Sequence, residues 1–183
     1  MTLLKHVFLL LVTIAVANAE FCDMIKPDLP DSCNCTEGST SLNMSCTVDM
    51  LDVDTLGFSA NLAPCGKPAS LTLRVTEADE GIDWSTQYDS GESGEVPVPD
   101  LSIDVPIFGS AGVYAVYEID GDASALGIAL GLDACGTVLG ITKCGSSVTS
   151  ELPIILLNNT YKFEKKKKII INIIIIITKT KKS

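Results

Sequence analysis

From Ser41 onward, apolar side chains return at every second residue. Leu42, Met44, Cys46, Val48 and Met50 alternate with Ser41, Asn43, Ser45, Thr47 and Asp49. Leu56, Phe58, Ala60 and Leu62 keep the same period, and Leu71, Leu73 and Val75 alternate with Thr72, Arg74 and Thr76. A period of two sets one face against a core and the other in water, which is the pattern of a half-buried strand. Ile82, Trp84, Thr86 and Tyr88 repeat it, as do Leu101, Ile103, Val105 and Ile107. Residues 89–95 (DSGESGE) read as a polar, glycine-bearing loop. Val96-Pro97-Val98-Pro99 must be extended, yet its prolines exclude it from a central strand.

The arms 113–119 and 126–132 flank Asp120-Gly121-Asp122, which predicts a hairpin turning at Asp-Gly. Residues 152–157 supply the last candidate strand. Good helix periodicity is missing between Glu20 and Tyr161. About eight or nine short strands with turn residues between them predict an all-β fold, an antiparallel two-sheet sandwich with a barrel as the alternative.

Residues 1–19 set the compartment. Lys5 precedes an apolar run over 7–16, and Ala17-Asn18-Ala19 offers small residues where signal peptidase reads, so cleavage is expected before Glu20. Export favours oxidised sulfur, and the chain has seven cysteines: Cys22, Cys33, Cys35, Cys46, Cys65, Cys135 and Cys144. Cys135 and Cys144 are the favoured local bridge. Cys33 and Cys35 are too close to pair with each other and should each reach a different partner. Connectivity among Cys22, Cys33, Cys35, Cys46 and Cys65 stays open, and an odd count leaves one thiol free or available to join two chains as a homodimer. The sequons Asn34-Cys35-Thr36, Asn43-Met44-Ser45 and Asn158-Asn159-Thr160 make Asn34, Asn43 and Asn158 candidate glycan sites.

Charge divides the chain. Residues 20–161 hold 22 acidic residues against four basic ones, Lys26, Lys67, Arg74 and Lys143. So acidic a body repels phosphate backbones and argues against nucleic acid as a partner. Residues 162–183 are instead Lys/Ile-rich and of low complexity. As a helix, 169–177 would span about 14 Å, under half of a ~30 Å hydrocarbon core, so no transmembrane span is expected there. The tail is also too short and too charged at its end for anchor exchange. It is expected to lie outside the core and reads as translated non-coding or frame-shifted sequence, with a basic surface tether as the rival. The resulting plan is a leader over 1–19, an irregular cysteine-rich segment over 20–40, a β domain over 41–161 and the tail over 162–183.

Little conventional catalytic chemistry survives. The only histidine, His6, lies in the leader, so a mature serine or cysteine nucleophile lacks its usual base. Asp89-Ser90-Gly91 resembles the Asp-Ser/Thr-Gly signature of aspartic proteases, with Val138-Leu139-Gly140 in place of the apolar-apolar-Gly element that follows it. One copy per chain would need a homodimer to bring two Asp89 carboxyls together. Clustered acids make calcium the one cofactor to consider, at Asp120 and Asp122 or at Asp52 and Asp54. Residues 52–57 begin like an EF-hand loop, but Leu56 replaces an oxygen ligand and Ala63 stands where the closing Glu belongs. Trp84, Tyr88, Tyr114 and Tyr117 are the aromatic resource for recognition, with Tyr114 and Tyr117 on opposite strand faces. The expected function is a secreted, non-catalytic extracellular binding or structural module with an unknown extracellular protein partner. The alternatives are a carrier holding a small apolar ligand between its sheets, and a dimeric aspartic hydrolase using Asp89.

Overall fold

The computed structural model describes residues 21–51, 54–105, 109–138, 141–147 and 150–163. Ten strands carry most of them: β1 (Cys33–Glu37), β2 (Leu42–Met50), β3 (Asp54–Ala63), β4 (Ser70–Glu77), β5 (Ile82–Asp89), β6 (Glu92–Val105), β7 (Gly109–Asp122), β8 (Ala125–Val138), β9 (Ile141–Cys144) and β10 (Ile154–Tyr161). One five-residue helix, α1 (Phe21–Ile25), precedes them and runs into a single 3-10 turn at Lys26–Asp28. The first sheet has the order β1-β2-β3-β4-β5, and the second runs β10-β8-β7-β6 with β9 also paired to β8. Every pairing is antiparallel, and the two sheets do not close into a barrel.

The alternation read from sequence is the burial pattern observed. Leu42, Met44, Cys46, Val48 and Met50 are buried along β2, and register sets Cys46 beside Phe58 and Phe58 beside Val75. Val113, Ala115 and Ile119 of β7 and Leu126, Ile128, Leu130 and Leu132 of β8 are buried in the second sheet. These faces form one core, driven by removal of apolar area from water at about 25 cal/mol per Å². Pro97 and Pro99 lie on β6, an edge strand, and the β6–β7 register shifts between Pro97 and Ser102. A missing N–H is tolerated at an edge.

Several boundaries differ from expectation. The stretch 89–95 is a two-residue turn, Ser90-Gly91, followed at once by β6; Gly91 takes φ 97° there, and Glu92 already pairs with Ile119. The β7–β8 hairpin turns at Ala123-Ser124, because Asp120 and Gly121 are still paired with Gly127 and Leu126. The Asp122 carboxylate fixes this turn by accepting the Ser124 N–H at 2.8 Å. The final strand runs to Tyr161, and Phe163, inside the expected tail, is buried. Residues 20–40 are less irregular than expected. Two residues of separation in a strand put Cys33 and Cys35 on one face of β1, so a CxC step can bond twice to the same side.

The two long seams of the sandwich are closed differently. On one side the Ser90-Gly91 turn carries the chain from sheet to sheet, with Ser90 N–H donating to Ala69 O at 2.8 Å and Gly91 N–H to Ile119 O at 2.7 Å. On the other side α1 acts as a plug. Ile25 is 1% exposed and reaches a set that includes Met44, Leu62, Ile128 and Leu157. Cys22–Cys35 ties the plug to β1, and Cys33–Cys46 ties β1 to β2 across directly opposed positions 4.0 Å apart at Cα. Asp28 then spans to β10, accepting the Tyr161 hydroxyl at 2.7 Å and the Asn159 amide at 2.9 Å.

The Tyr161 hydroxyl, then the Asn159 amide, hold the Asp28 carboxyl below the usual carboxylate range. Burial, then the Asp28 hydrogen bond, pushes the Tyr161 phenol above the usual tyrosine range. A lowered Asp28 contributes stability present above its unfolded value, near ~3.9, and lost as pH falls through the folded one. Asp28→Asn should therefore flatten the acid limb of the urea midpoint plotted against pH; an unchanged limb would mean the latch contributes nothing. Replacing Cys33 and Cys46 together by Ala should lower unfolding free energy by about 3 kcal/mol, read from denaturant titration, since their loop is about 15 residues.

Candidate functional site

One end of the sandwich opens into a cleft of about 690 Å³. Its walls come from five separate segments: Phe21 of α1, the β3–β4 loop from Pro64 to Ala69, Ser90, the β7–β8 turn from Gly121 to Ala123, and Phe163. Hydrogen bonds knit these segments together. Ser90 donates its N–H to Ala69 O and its hydroxyl to Gly121 O, and Phe163 N–H donates to Ala123 O at 2.7 Å. Two glycines are required by the close approach. A Cβ on Gly66 would lie 2.6 Å from Pro68 O, and one on Gly121, at φ 93°, would lie 2.1 Å from Ala125 O.

The apolar part of the lining is Pro64, Pro68, Ala69, Ala123 and the rings of Phe21 and Phe163, which meet edge to face at 5.2 Å. The polar part is Cys65, Lys67, Ser90 and Asp122. The Asp122 carboxyl is held below its usual range by the Ser124 hydroxyl and N–H. Lys67 has no ion-pair partner among the described residues. Nothing local in the sequence marks this site, because its five parts lie between positions 21 and 163.

The cysteine expectations are met in part by named pairs. Cys135–Cys144 is a bridge, across opposed residues of β8 and β9, and Cys33 and Cys35 take different partners, Cys46 and Cys22. Cys65 is the free, exposed thiol. The sole cluster of three potential metal ligands among the described residues is Glu95 with Cys135 and Cys144. Both sulfurs there are spent on their bridge, so it leaves a single carboxylate.

The acidic candidates are dispersed. Asp89 is exposed at the end of β5, and its N–H donates to Glu92 Oε2 at 2.5 Å. Leu139 and Gly140 lie outside the described residues, as does Asp52. Asp54 accepts the N–H of Thr55 at 2.7 Å, and Asp49 accepts the Thr55 hydroxyl at 3.0 Å. Asp120 is exposed on β7, two residues before the Asp122 that caps the turn.

The outward face of the first sheet is polar in every row that register defines. Thr36, Asn43, Asn61, Thr72 and Gln87 form one row, and Asn34, Ser45, Ser59, Arg74 and Ser85 the next. The first two sequons interlock here, Asn34 opposite Ser45 and Asn43 opposite Thr36. Asn34 is exposed, Asn43 half-buried, and Asn158 exposed on β10. Arg74 makes a two-pronged pair with Asp83 on this face at 2.6 and 2.7 Å; both side chains are over half exposed, which limits its contribution to about 1 kcal/mol or less.

Of the aromatics, Tyr117 faces inward and stacks on Tyr88 at 3.6 Å between ring centres. Tyr114 lies on the opposite face of β7, half-buried and paired in register with the fully buried Asp133. Between the sheets, the void beside Ile25, Met44 and Leu130 measures about 10 Å³. Among the described residues, no helix is long and apolar enough to cross a membrane. Comparison with protein-family models, curated proteins and solved structures finds no match to this chain.

Thiol titration of the native protein should find one reactive group per chain, lost in Cys65→Ser with no change in denaturation midpoint. A zero count that returns to one on mild reduction would mean Cys65 joins two chains.

Proposed function

We propose that this chain is a secreted, non-catalytic extracellular module that acts by binding or as structure, with glycans on Asn34, Asn43 and Asn158. The observation that carries this reading is the close packing between the sheets around Ile25, Met44 and Leu130. A void of about 10 Å³ between the sheets holds at most a single water, whereas carriers of small apolar ligands enclose roughly 300–1,000 Å³. Three disulfides in a small β domain fit an oxidising compartment. The interlocked sequons lie on an outward sheet face made of Thr, Asn and Ser, where sugars meet no apolar surface. Asp89 sits exposed at the end of β5, beside the turn that crosses between the sheets, rather than in the enclosed setting an aspartic hydrolase uses.

Native mass spectrometry of protein taken from culture medium tests this. The expected species starts at Glu20, holds three bridges and loses carbohydrate mass in the Asn34→Gln, Asn43→Gln and Asn158→Gln variants. A retained leader, or no carbohydrate at any of the three, would overturn the secreted reading. Peptide hydrolysis abolished by Asp89→Asn would overturn the non-catalytic one.

A further inference from the structure

We propose that the end cleft is a binding site for a small amphipathic anion, an aromatic or aliphatic body bearing one acidic head group. The proposal rests on the module reading above and names the kind of ligand such a module would take. Three observations converge on it.

The first is size and shape. About 690 Å³ falls within the range of small-molecule sites, whereas the void between the sheets beside Ile25 measures about 10 Å³. The second is rigidity. The β3–β4 loop, the Ser90 turn, the β7–β8 turn and the strand leading to Phe163 are cross-tied by backbone and hydroxyl hydrogen bonds. Pre-formed walls spare a ligand the ordering cost of binding.

The third is chemistry. Phe21, Pro64, Pro68, Ala69, Ala123 and Phe163 offer apolar surface, and Phe21 is half-buried. Lys67 stands at the rim with no acidic partner among the described residues, on a body with 22 acidic residues against four basic ones. An ammonium left unpaired amid such a surplus of carboxylates is where an incoming anion gains most. The other charge in the cleft, Asp122, is an ionised carboxylate engaged by the Ser124 hydroxyl and N–H, so the head group is directed away from it and toward Lys67.

The test uses the full purified protein and 1-anilinonaphthalene-8-sulfonate, an aromatic anion whose fluorescence reports transfer out of water. Saturable binding of one dye per chain is expected. Bound dye should slow alkylation of Cys65 by iodoacetamide at least about tenfold, because the thiol lines the same cleft. Lys67→Glu, on an exposed loop, should weaken binding about tenfold, and Lys67→Arg should restore it. Ala123→Trp should abolish it while leaving the circular dichroism spectrum unchanged. Absence of saturable binding, unprotected Cys65 with dye bound, or affinity indifferent to Lys67→Glu would each overturn the proposal. Binding that appears only once residues 164–183 are removed would also overturn it, by assigning the cleft to the chain's own end. None of these failures touches the module reading, which falls only on the leader, the carbohydrate or Asp89-dependent hydrolysis.

Discussion

Two stacked sheets joined at a single turn would gape along their far seam, and what prevents this is a short apolar plug held by sulfur. A five-residue helix has no independent stability in water, because nucleation costs more than one turn of hydrogen bonds returns. Its position is therefore imposed from outside. Cys22–Cys35 pins one end of it to β1, and Ile25 drops between Met44 of one sheet and Leu157 of the other. β1 is itself a short edge strand, and Cys33–Cys46 fastens it to β2. The core behind depends on that closure, since unsealed inner faces of β2 and β10 would meet water.

Much of this architecture was legible in the sequence, and the reason is the strict period of two. β2, β3 and β4 bury the residues their alternation selects, from Leu42 through Val75, and the prolines of 97 and 99 correctly mark an edge. The cysteine pairing was half legible. Cys135 and Cys144 bracket a short stretch, and the CxC step forbids an internal bridge, but choosing between Cys22 and Cys46 needed the strand register. What stayed hidden depends on tertiary packing. α1 is too short to show periodicity, the polar start of β6 looks like loop because it lies on an exposed edge, and the β7–β8 turn follows an Asp122 side-chain bond that outweighs Asp-Gly propensity. The cleft was not legible at all, as no two of its five segments are neighbours in the chain.

The two outer faces of the sandwich differ in kind. Threonine, asparagine and serine dominate the first sheet's exterior, so its rows are hydrated, with Asp49, Asp89 and the Arg74–Asp83 pair as the charges on them. The second sheet presents Val116, Ala129 and Gly131 beside Ile155, which is 46% exposed. A Cβ on Gly131 would lie 2.6 Å from Ile154 O, so this glycine is there to let β10 pass closely. The small side chains of that arm are met at this point by the neighbouring strand.

The meander also decides how such a molecule comes apart. Each strand pairs with a sequence neighbour, apart from β10, which skips β9 to reach β8; among the described residues, ties between the first and last segments include the Asp28 cradle, bridging 131 and 133 residues, and the Phe21–Phe163 ring contact. Covalent bridges keep α1 with the first sheet, while β10 belongs to the second. The fold is thus bound like a book, with Ser90-Gly91 as its spine and a carboxylate and two rings as its clasp. Releasing the clasp would loosen the cover at that edge while the shared core still holds the two sheets together.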